Sequence, residues 1–375
     1  MLAAHNGRIV YHKAFGYFGY DKKEKVSTES VYDMASVTKI CGTALAVMKL
    51  YEEGKINLRH TLGHYLDVVK GTNKEKLIIE NILLHQAGLS PFIQFYKETT
   101  DSTGRPLTYL YSSQKKDSFS IPVACNLFLR NDWRDTIMQR ILQSPVSNTG
   151  RYVYSDNDFI FLGKIVEVIT GTALDKYVQQ KFYMPLGLSS AGFMPLQYLP
   201  LKKIAPTEEE TVFRKQLIRG YVHDPGAAMF GGVAGHAGLF SNAYDMAILM
   251  QLLLNGGTFN GKKYLQEKTI RLFTSYQSAV SRRGLGFDKP EKDNDKRAAP
   301  YPCLSASPAA FGHTGFTGSC VWADPKYNLV YVFLSNRVSP DGSNTKLLKM
   351  NVRTNIQEAI YTSLLPNAVK IKEAE

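Results

Sequence analysis

Between Tyr32 and Lys55 the chain reads "YDMASVTKICGTALAVMKLYEEGK", with apolar residues at 37, 40, 41, 44, 45, 48 and 51 and Gly54 just beyond them. The i, i+3, i+4, i+7 spacing puts these side chains on one face of a helix, and a glycine after the last of them is a common stop. So long an apolar face must be covered by other layers, so this stretch predicts a helix packed into the core of a layered fold.

Ser36, Val37, Thr38 and Lys39 stand at the head of that helix. Residues three apart are neighbours on a helix surface, so the Lys39 ammonium can reach the Ser36 hydroxyl. Unpaired N–H groups and the positive dipole end favour a developing negative charge there. A lysine held in a dry pocket loses its proton more easily and then serves as a base toward serine. Taken alone, the same pattern reads as an N-cap serine followed by a solvated lysine.

Two further segments bear on the choice. "GRYVYSDNDFIFLGKIVEVITG" (150–171) predicts a helix from near Asn157 to just before Gly171, with Tyr154-Ser155-Asp156 in the turn ahead of it. A tyrosinate beside a lysine ammonium would be stabilised by the opposite charge and could exchange a proton with serine or a leaving group. The alternative is a core aromatic followed by a helix cap at Asp156. "FGHTGFTGSCVWADPKYNLVYVFLSNR" (311–337) predicts two antiparallel strands, Gly312–Ala323 and Asn328–Asn336, joined at an Asp-Pro turn. Thr314, Gly315 and Gly318 leave room for a substrate backbone. His313 reads as a group that orients a substrate carboxylate or passes a proton, or as a strand histidine with its hydrogen bonds satisfied. Near the N-terminus, Asn6-Gly7 between two β-prone runs predicts a hairpin.

Composition excludes several classes. With 44% hydrophobic and 21% charged residues, and no linker, repeat or apolar run near the ~20 residues of a membrane span, the chain reads as one globular unit. The net charge of +12 is spread with acids interleaved, as in "DKKEK" and "DKPEKDNDKR", which argues against nucleic acid and leaves a polyanion such as a cell-wall polymer as a neighbour. Cys41, Cys125, Cys303 and Cys320 have no C-x-x-C spacing, against a zinc knuckle or dithiol pair, and Cys41 falls in the apolar helix stripe. His60 and His64 lack the intervening Glu of a metal helix. "GGTFNGKK" places Lys263 where a magnesium-binding hydroxyl belongs and reads as a turn. No Gly-x-Ser-x-Gly elbow occurs. The start at Met1, without a charged and then apolar leader, reads as a cut from a longer precursor.

In their order and separation, Ser36/Lys39, Tyr154/Asp156 and His313-Thr314-Gly315 resemble the Ser-x-x-Lys, Tyr-x-Asn and Lys/His-Thr-Gly signature of the serine β-lactamase and penicillin-recognising DD-peptidase superfamily. The look is that of its class C, esterase-like branch. "ENILLHQAGLSPF" and "HDPGAAMFGGVAGHAGLFSNAYDMAILMQLLLNGG" extend the resemblance over essentially the whole chain. It implies an α+β fold, an antiparallel sheet flanked by helices with an all-helical lobe across a cleft, in a single catalytic domain over 1–375. The sheet part would span about 1–65 and 245–375, the lobe about 66–244. A C-terminal helix near Asn344–Leu365 would pack on the sheet beside the first hairpin.

The resemblance also implies roles. Ser36 would be the acylated nucleophile, Lys39 its proton acceptor and Tyr154 the proton shuttle. The backbone N–H groups of Ser36 and Phe316 would form the oxyanion hole, and Asp156, His313, Thr314 and Gly315 would meet the substrate. No metal or organic cofactor is implied. The expected activity is that of a serine hydrolase on a β-lactam, D-amino-acid peptide or peptidoglycan-related substrate, in the bacterial periplasm or cell envelope. The competing expectation is a catalytically weak module that binds muropeptides or β-lactams. "GTNKE…LLHQAGL…YKET" is similar to lactamase-like domains fused behind a family 3 glycoside hydrolase, which implies such a domain as a covalent partner. Oligomeric state stays open, though a partner strand or preceding domain is expected at the sheet edge.

Two departures matter. Asp156 stands in place of the amide-bearing Asn, so an NH2 donor is lost and a carboxylate that would hold Lys39 protonated is gained. Asn157 lies one position too late to substitute. His313 in place of Lys weakens any fixed positive charge for a substrate carboxylate.

Overall fold

Asn6 and Gly7 both take positive φ, 52° and 71°, the geometry of a tight hairpin, so strand β1 (Leu2–His5) folds straight back into β2 (Arg8–His12). The computed structural model describes residues 1–365. From the far end of the chain come β3 (Phe311–Thr314), β4 (Cys320–Asp324) and β5 (Leu329–Phe333). The five form one antiparallel sheet in the order β3-β4-β5-β1-β2.

The longer helices are α1 (Leu45–Glu52), α2 (Trp133–Gln143), α3 (Asp156–Thr170), α4 (Ala243–Leu254) and α5 (Val352–Leu364). β4 is buried along its whole length and apolar from Cys320 to Ala323, the mark of a sheet covered on both faces. α4 packs against β1, β4 and β5. α5 sets Ile356 and Ile360 into the cluster of Cys320, Trp322 and Tyr331, which Met1 also joins. The expected C-terminal helix therefore lies on the sheet beside the first hairpin. The outer edge of β3 is met by Asp288, which exchanges backbone hydrogen bonds with Gly312, whereas β2 ends the sheet on the other side.

The residues between the halves of the sheet carry α2, α3 and shorter helices, and also short antiparallel ribbons such as Tyr111–Ser112 with Leu127–Leu129 and Ile121–Ala124. α3 ends where Gly171 takes φ 63°, as the sequence predicts. "GGTFNGKK" forms a small hairpin, Thr258–Phe259 against Lys262–Lys263. The four cysteines are unpaired and Cys41 is buried. Among the described residues no helix is long and apolar enough to cross a membrane.

Two elements differ from expectation. The strand predicted over Gly312–Ala323 is two strands, because residues 315–319 turn: the Gly315 N–H donates to Ser319 O, the Gly318 N–H to Gly315 O, and Gly318 has φ 98°. The helix predicted from Val37 is a 3-10 turn at Ala35–Val37, a π-helical turn over Lys39–Ala44, and only then α1. It is also buried all round, Thr38, Lys39 and Thr43 included. Those polar groups have partners that periodicity cannot reveal. The Leu239 N–H donates to Thr38 Oγ1, and Thr43 Oγ1 donates to Gly235 O.

Candidate active site

Ser36 follows Ala35, a non-glycine residue at φ 45°. Left-handed backbone at such a residue costs free energy and must be held in place. Asp33 does so: its Oδ1 accepts the Ala35 N–H at 2.8 Å and its Oδ2 accepts the His223 N–H at 2.6 Å. Burial pushes the Asp33 carboxyl up, against those bonds. Thr317 Oγ1 donates to Asp33 O at 2.8 Å, tying the turn after β3 to the nucleophile's turn.

Lys39 is wholly buried. Its Nζ donates to Ser36 Oγ at 2.9 Å, to Asp156 Oδ1 at 2.7 Å and to His236 O at 3.3 Å. Burial pulls its pKa down, but the facing Asp156 carboxylate outweighs it, so Lys39 lies above its ordinary value and rests as an ammonium. This is the consequence expected of Asp in place of Asn. Asn157 turns away from Lys39, its amide donating to Ser90 O at 2.8 Å.

Tyr154 is clamped by His85. The Val153 N–H donates to His85 O and the Ser155 N–H to His85 Nδ1, while the His85 and Tyr154 rings lie 4.5 Å apart. Lys39 Nζ sits 4.8 Å from the centre of the Tyr154 ring, over its face. The Tyr154 hydroxyl is buried without a hydrogen-bond partner among the described residues. Its pKa is raised, burial outweighing the Lys39 and Arg283 charges, so the resting group is a phenol and the expectation of a stabilised tyrosinate is not met.

His313 also departs from its reading as a substrate-facing group. It is 3% exposed, its Nδ1–H donates to Thr314 O at 2.7 Å, and its Nε2 accepts from Arg283 at 3.1 Å. Burial first, then the Arg283 guanidinium, lowers its pKa to about 3. The ring is therefore neutral, satisfied at both nitrogens, and cannot hold a carboxylate. Arg283, 4% exposed, also donates to Tyr152 and sits 3.6 Å from Asp288. Thr314 is half-buried, and Gly315 brings the strand so close to the nucleophile's turn that a Cβ there would lie 2.6 Å from Met34 O.

Ser36, Tyr154, Asp156 and Phe316 line one cavity of about 450 Å³, which His313, Thr314 and Gly315 do not reach. The Phe316 N–H meets no acceptor among the described residues and is free to serve with that of Ser36. One wall is apolar, made by Phe92, Ile93, Phe95, Tyr96 and Ile160.

The opposite wall holds three residues that sequence reasoning did not single out: His223, Asp224 and His236. His223 Nε2 pairs with Glu208 at 2.8 Å, and His236 Nε2 with Asp224 Oδ1 at 2.8 Å. The available signal was a pair of histidines flanking the Gly-rich stretch "HDPGAAMFGGVAGH". One ligand atom each from Asp156, Asp224 and His236 lies within 4.8 Å of the others.

With this geometry in view, four similarities can be placed. A β-lactamase family model matches residues 1–351. A Salmonella enteritidis PT4 protein, provisionally named D-alanyl-D-alanine carboxypeptidase, is 33% identical over 377 residues, covering 92% of this chain and 80% of the relative. Two solved structures share the fold. A penicillin-binding protein homologue from Caulobacter crescentus has a TM-score of 0.65 at 19% identity, covering 97% of this chain and 91% of that one. EstCE1, a hydrolase with promiscuous acyltransferase activity, has a TM-score of 0.62 at 20% identity, covering 94% and 91%.

Proposed function

This chain belongs to the β-lactamase family and is a serine hydrolase of amide or ester substrates; from that premise we infer an acyl-enzyme mechanism at Ser36 directed at peptidoglycan-derived D-amino-acid amides. The observation that carries the reading is the buried Lys39 ammonium 2.9 Å from the Ser36 hydroxyl, at the mouth of a cavity large enough for a small peptide.

In this reading Ser36 Oγ attacks the substrate carbonyl while the N–H groups of Ser36 and Phe316 take the oxyanion. Each such donor contributes about 3 to 4 kcal/mol in the transition state. Because Lys39 rests protonated, it accepts the serine proton only as it releases one of its own, and Asp156 Oδ1 at 2.7 Å is the acceptor in contact. The neutral Tyr154 phenol then stands ready to protonate the leaving group. A water molecule releases the acyl group by the reverse relay, and Ser36 is restored. The name of the Salmonella relative supports a D-alanyl amide as the substrate, and such a substrate puts the work of this chain in the bacterial periplasm or cell envelope.

Intact-protein mass spectrometry after exposure to a fluorophosphonate, a penicillin and a chromogenic acyl ester tests this. Wild type gains a covalent mass that decays with turnover, and Ser36→Ala gains none. An adduct that persists in Ser36→Ala, or none on folded wild type, refutes the assignment. A wild-type adduct that never decays favours the binding-module alternative.

A further inference from the structure

The Ser36 cavity contains acceptors that no protein donor uses. Lys39 engages only Oδ1 of Asp156, and the Ala227 N–H and His236 Nε2 both use Oδ1 of Asp224. Oδ2 of each carboxylate meets no protein donor among the described residues. Asp156 and Asp224 are 25% and 33% exposed and line the cavity. His236 is 3% exposed and its Nδ1 is buried without a partner. One ligand atom each of Asp156, Asp224 and His236 lies within 4.8 Å of the others, and the two free carboxylate oxygens belong to residues that line the same cavity as the apolar wall.

We propose that Asp156, Asp224 and His236 form a subsite for a substrate ammonium group, so that this hydrolase selects acyl donors carrying a free amine near the scissile carbonyl. The inference rests on the serine hydrolase reading above. An ammonium offers three N–H donors and one positive charge. The subsite offers two free carboxylate oxygens as acceptors, and its two carboxylates, after Lys39 cancels one, leave one negative charge. A divalent cation would overshoot that balance beside the Lys39 ammonium. Lys39 bonds both the nucleophile and Asp156, and Asp224 has a ligand atom within 4.8 Å of one on Asp156, so the amine and the reacting carbonyl belong to neighbouring parts of one substrate. Phe92, Ile93 and Phe95 then take its apolar side chain. A carboxylate on the acyl side would meet Asp156 and Asp224, while Lys39 is paired and Arg283 is spent on His313 and Tyr152.

The test is a matched pair of chromogenic p-nitrophenyl esters, 2-aminobutanoyl and its near-isostere 2-methylbutanoyl, each as both enantiomers and corrected for spontaneous hydrolysis. Wild type is expected to prefer the amine by at least about tenfold in kcat/KM in one enantiomeric series, the effect of one charge-assisted hydrogen bond. Asp224→Asn keeps an acceptor for the Ala227 N–H and a partner for His236 but removes the charge, and the preference ratio should fall about tenfold, chiefly through KM. Equal rates for the pair on wild type overturn the proposal even if Asp224→Asn fails to fold. Saturable binding of Zn2+ or Mg2+ alone to wild type, lost in Asp224→Asn and with no amine preference, overturns it in favour of a metal site. Labelling of wild-type Ser36 by the neutral fluorophosphonate separates the two levels. A labelled enzyme without amine preference loses the subsite only, and an unlabelled folded enzyme loses the hydrolase reading and the subsite together.

Discussion

Replacing Asp156 by Asn restores the residue type of the family motif and removes the charge that holds Lys39 protonated. At 2.7 Å and an effective dielectric near 20, the pair's Coulomb attraction is about 6 kcal/mol. Asp156 is 25% exposed, so solvent screens part of this. Even a third of it, about 2 kcal/mol, changes the free-base fraction of Lys39 more than tenfold at fixed pH. Without the carboxylate, burial is the largest remaining influence and favours the neutral amine. The second-order rate of fluorophosphonate labelling of Ser36, followed from pH 6 to 11, reports the base without needing the amine subsite. In wild type it should climb with pH beyond the ordinary lysine range. In Asp156→Asn the climb should begin at lower pH, with labelling at pH 7 faster by about tenfold or more.

Stability should move oppositely. Lys39 has a folded pKa above its unfolded value, so the pair's contribution is fully present below the ordinary 10.5 and is lost as pH rises through the folded value. Asp156→Asn should therefore be destabilised at neutral pH, by an amount that shrinks in alkali. A labelling profile that stays in place or moves to higher pH would refute the role given to Asp156.

Asp158 is fully buried against His85, and burial raises its carboxyl well above the ordinary range while His85 is lowered well below its own. Because a raised carboxyl loses stability as pH rises above its unfolded value, Asp158→Asn should gain on wild type between pH 5 and pH 8 in urea unfolding; a constant difference would show that Asp158 is ionised throughout. Arg283→Gln removes the guanidinium that helps depress His313 and leaves Asp288 with Arg282 alone, so the His313 resonance should titrate at higher pH and stability should fall by about 3 kcal/mol. Gly315→Ala forces a Cβ against Met34 O and should widen the gap between Phe316 and Ser36, slowing acylation more than it raises KM, which stopped-flow acylation would detect.

What could be read from the sequence was whatever depends on short spacing. Ser36 and Lys39 meet because three residues on a tight turn bring them together, and Gly171 stops α3 because its left-handed backbone suits glycine. The consequence of Asp156 was legible too, since charge adjacent to a motif acts whatever the details of the fold. Contacts across long stretches of chain were not. Arg283 reaches His313 only because Asp288 pairs with Gly312 along the outer edge of β3, a register that no local pattern encodes. Asp224 and His236 join the site through the long lobe, where the Thr38 and Thr43 hydroxyls stitch 235–239 to the nucleophile's helix. The π-helical turn over Lys39–Ala44 was hidden because an all-round buried helix tolerates either winding with the same apolar residues.

The two departures from the motif act in the same electrical direction. Asp for Asn adds a negative charge to the cavity, and His for Lys withholds a positive one, since His313 is neutral and the nearby Arg283 is neutralised by Asp288. The chain as a whole carries +12, yet Asp156 and Asp224 line its cavity and Lys39 pairs with only one of them. These fields work at different ranges. Surface charge draws in a polyanion over roughly a Debye length, about 8 to 10 Å at physiological salt, and is weakened by salt. The cavity carboxylates act at contact, partly desolvated, where they select by complement. With the amine subsite proposed above, such a hydrolase would be drawn to an anionic polymer and pick out the cationic groups attached to it, a sharper demand on the substrate than either charge makes alone.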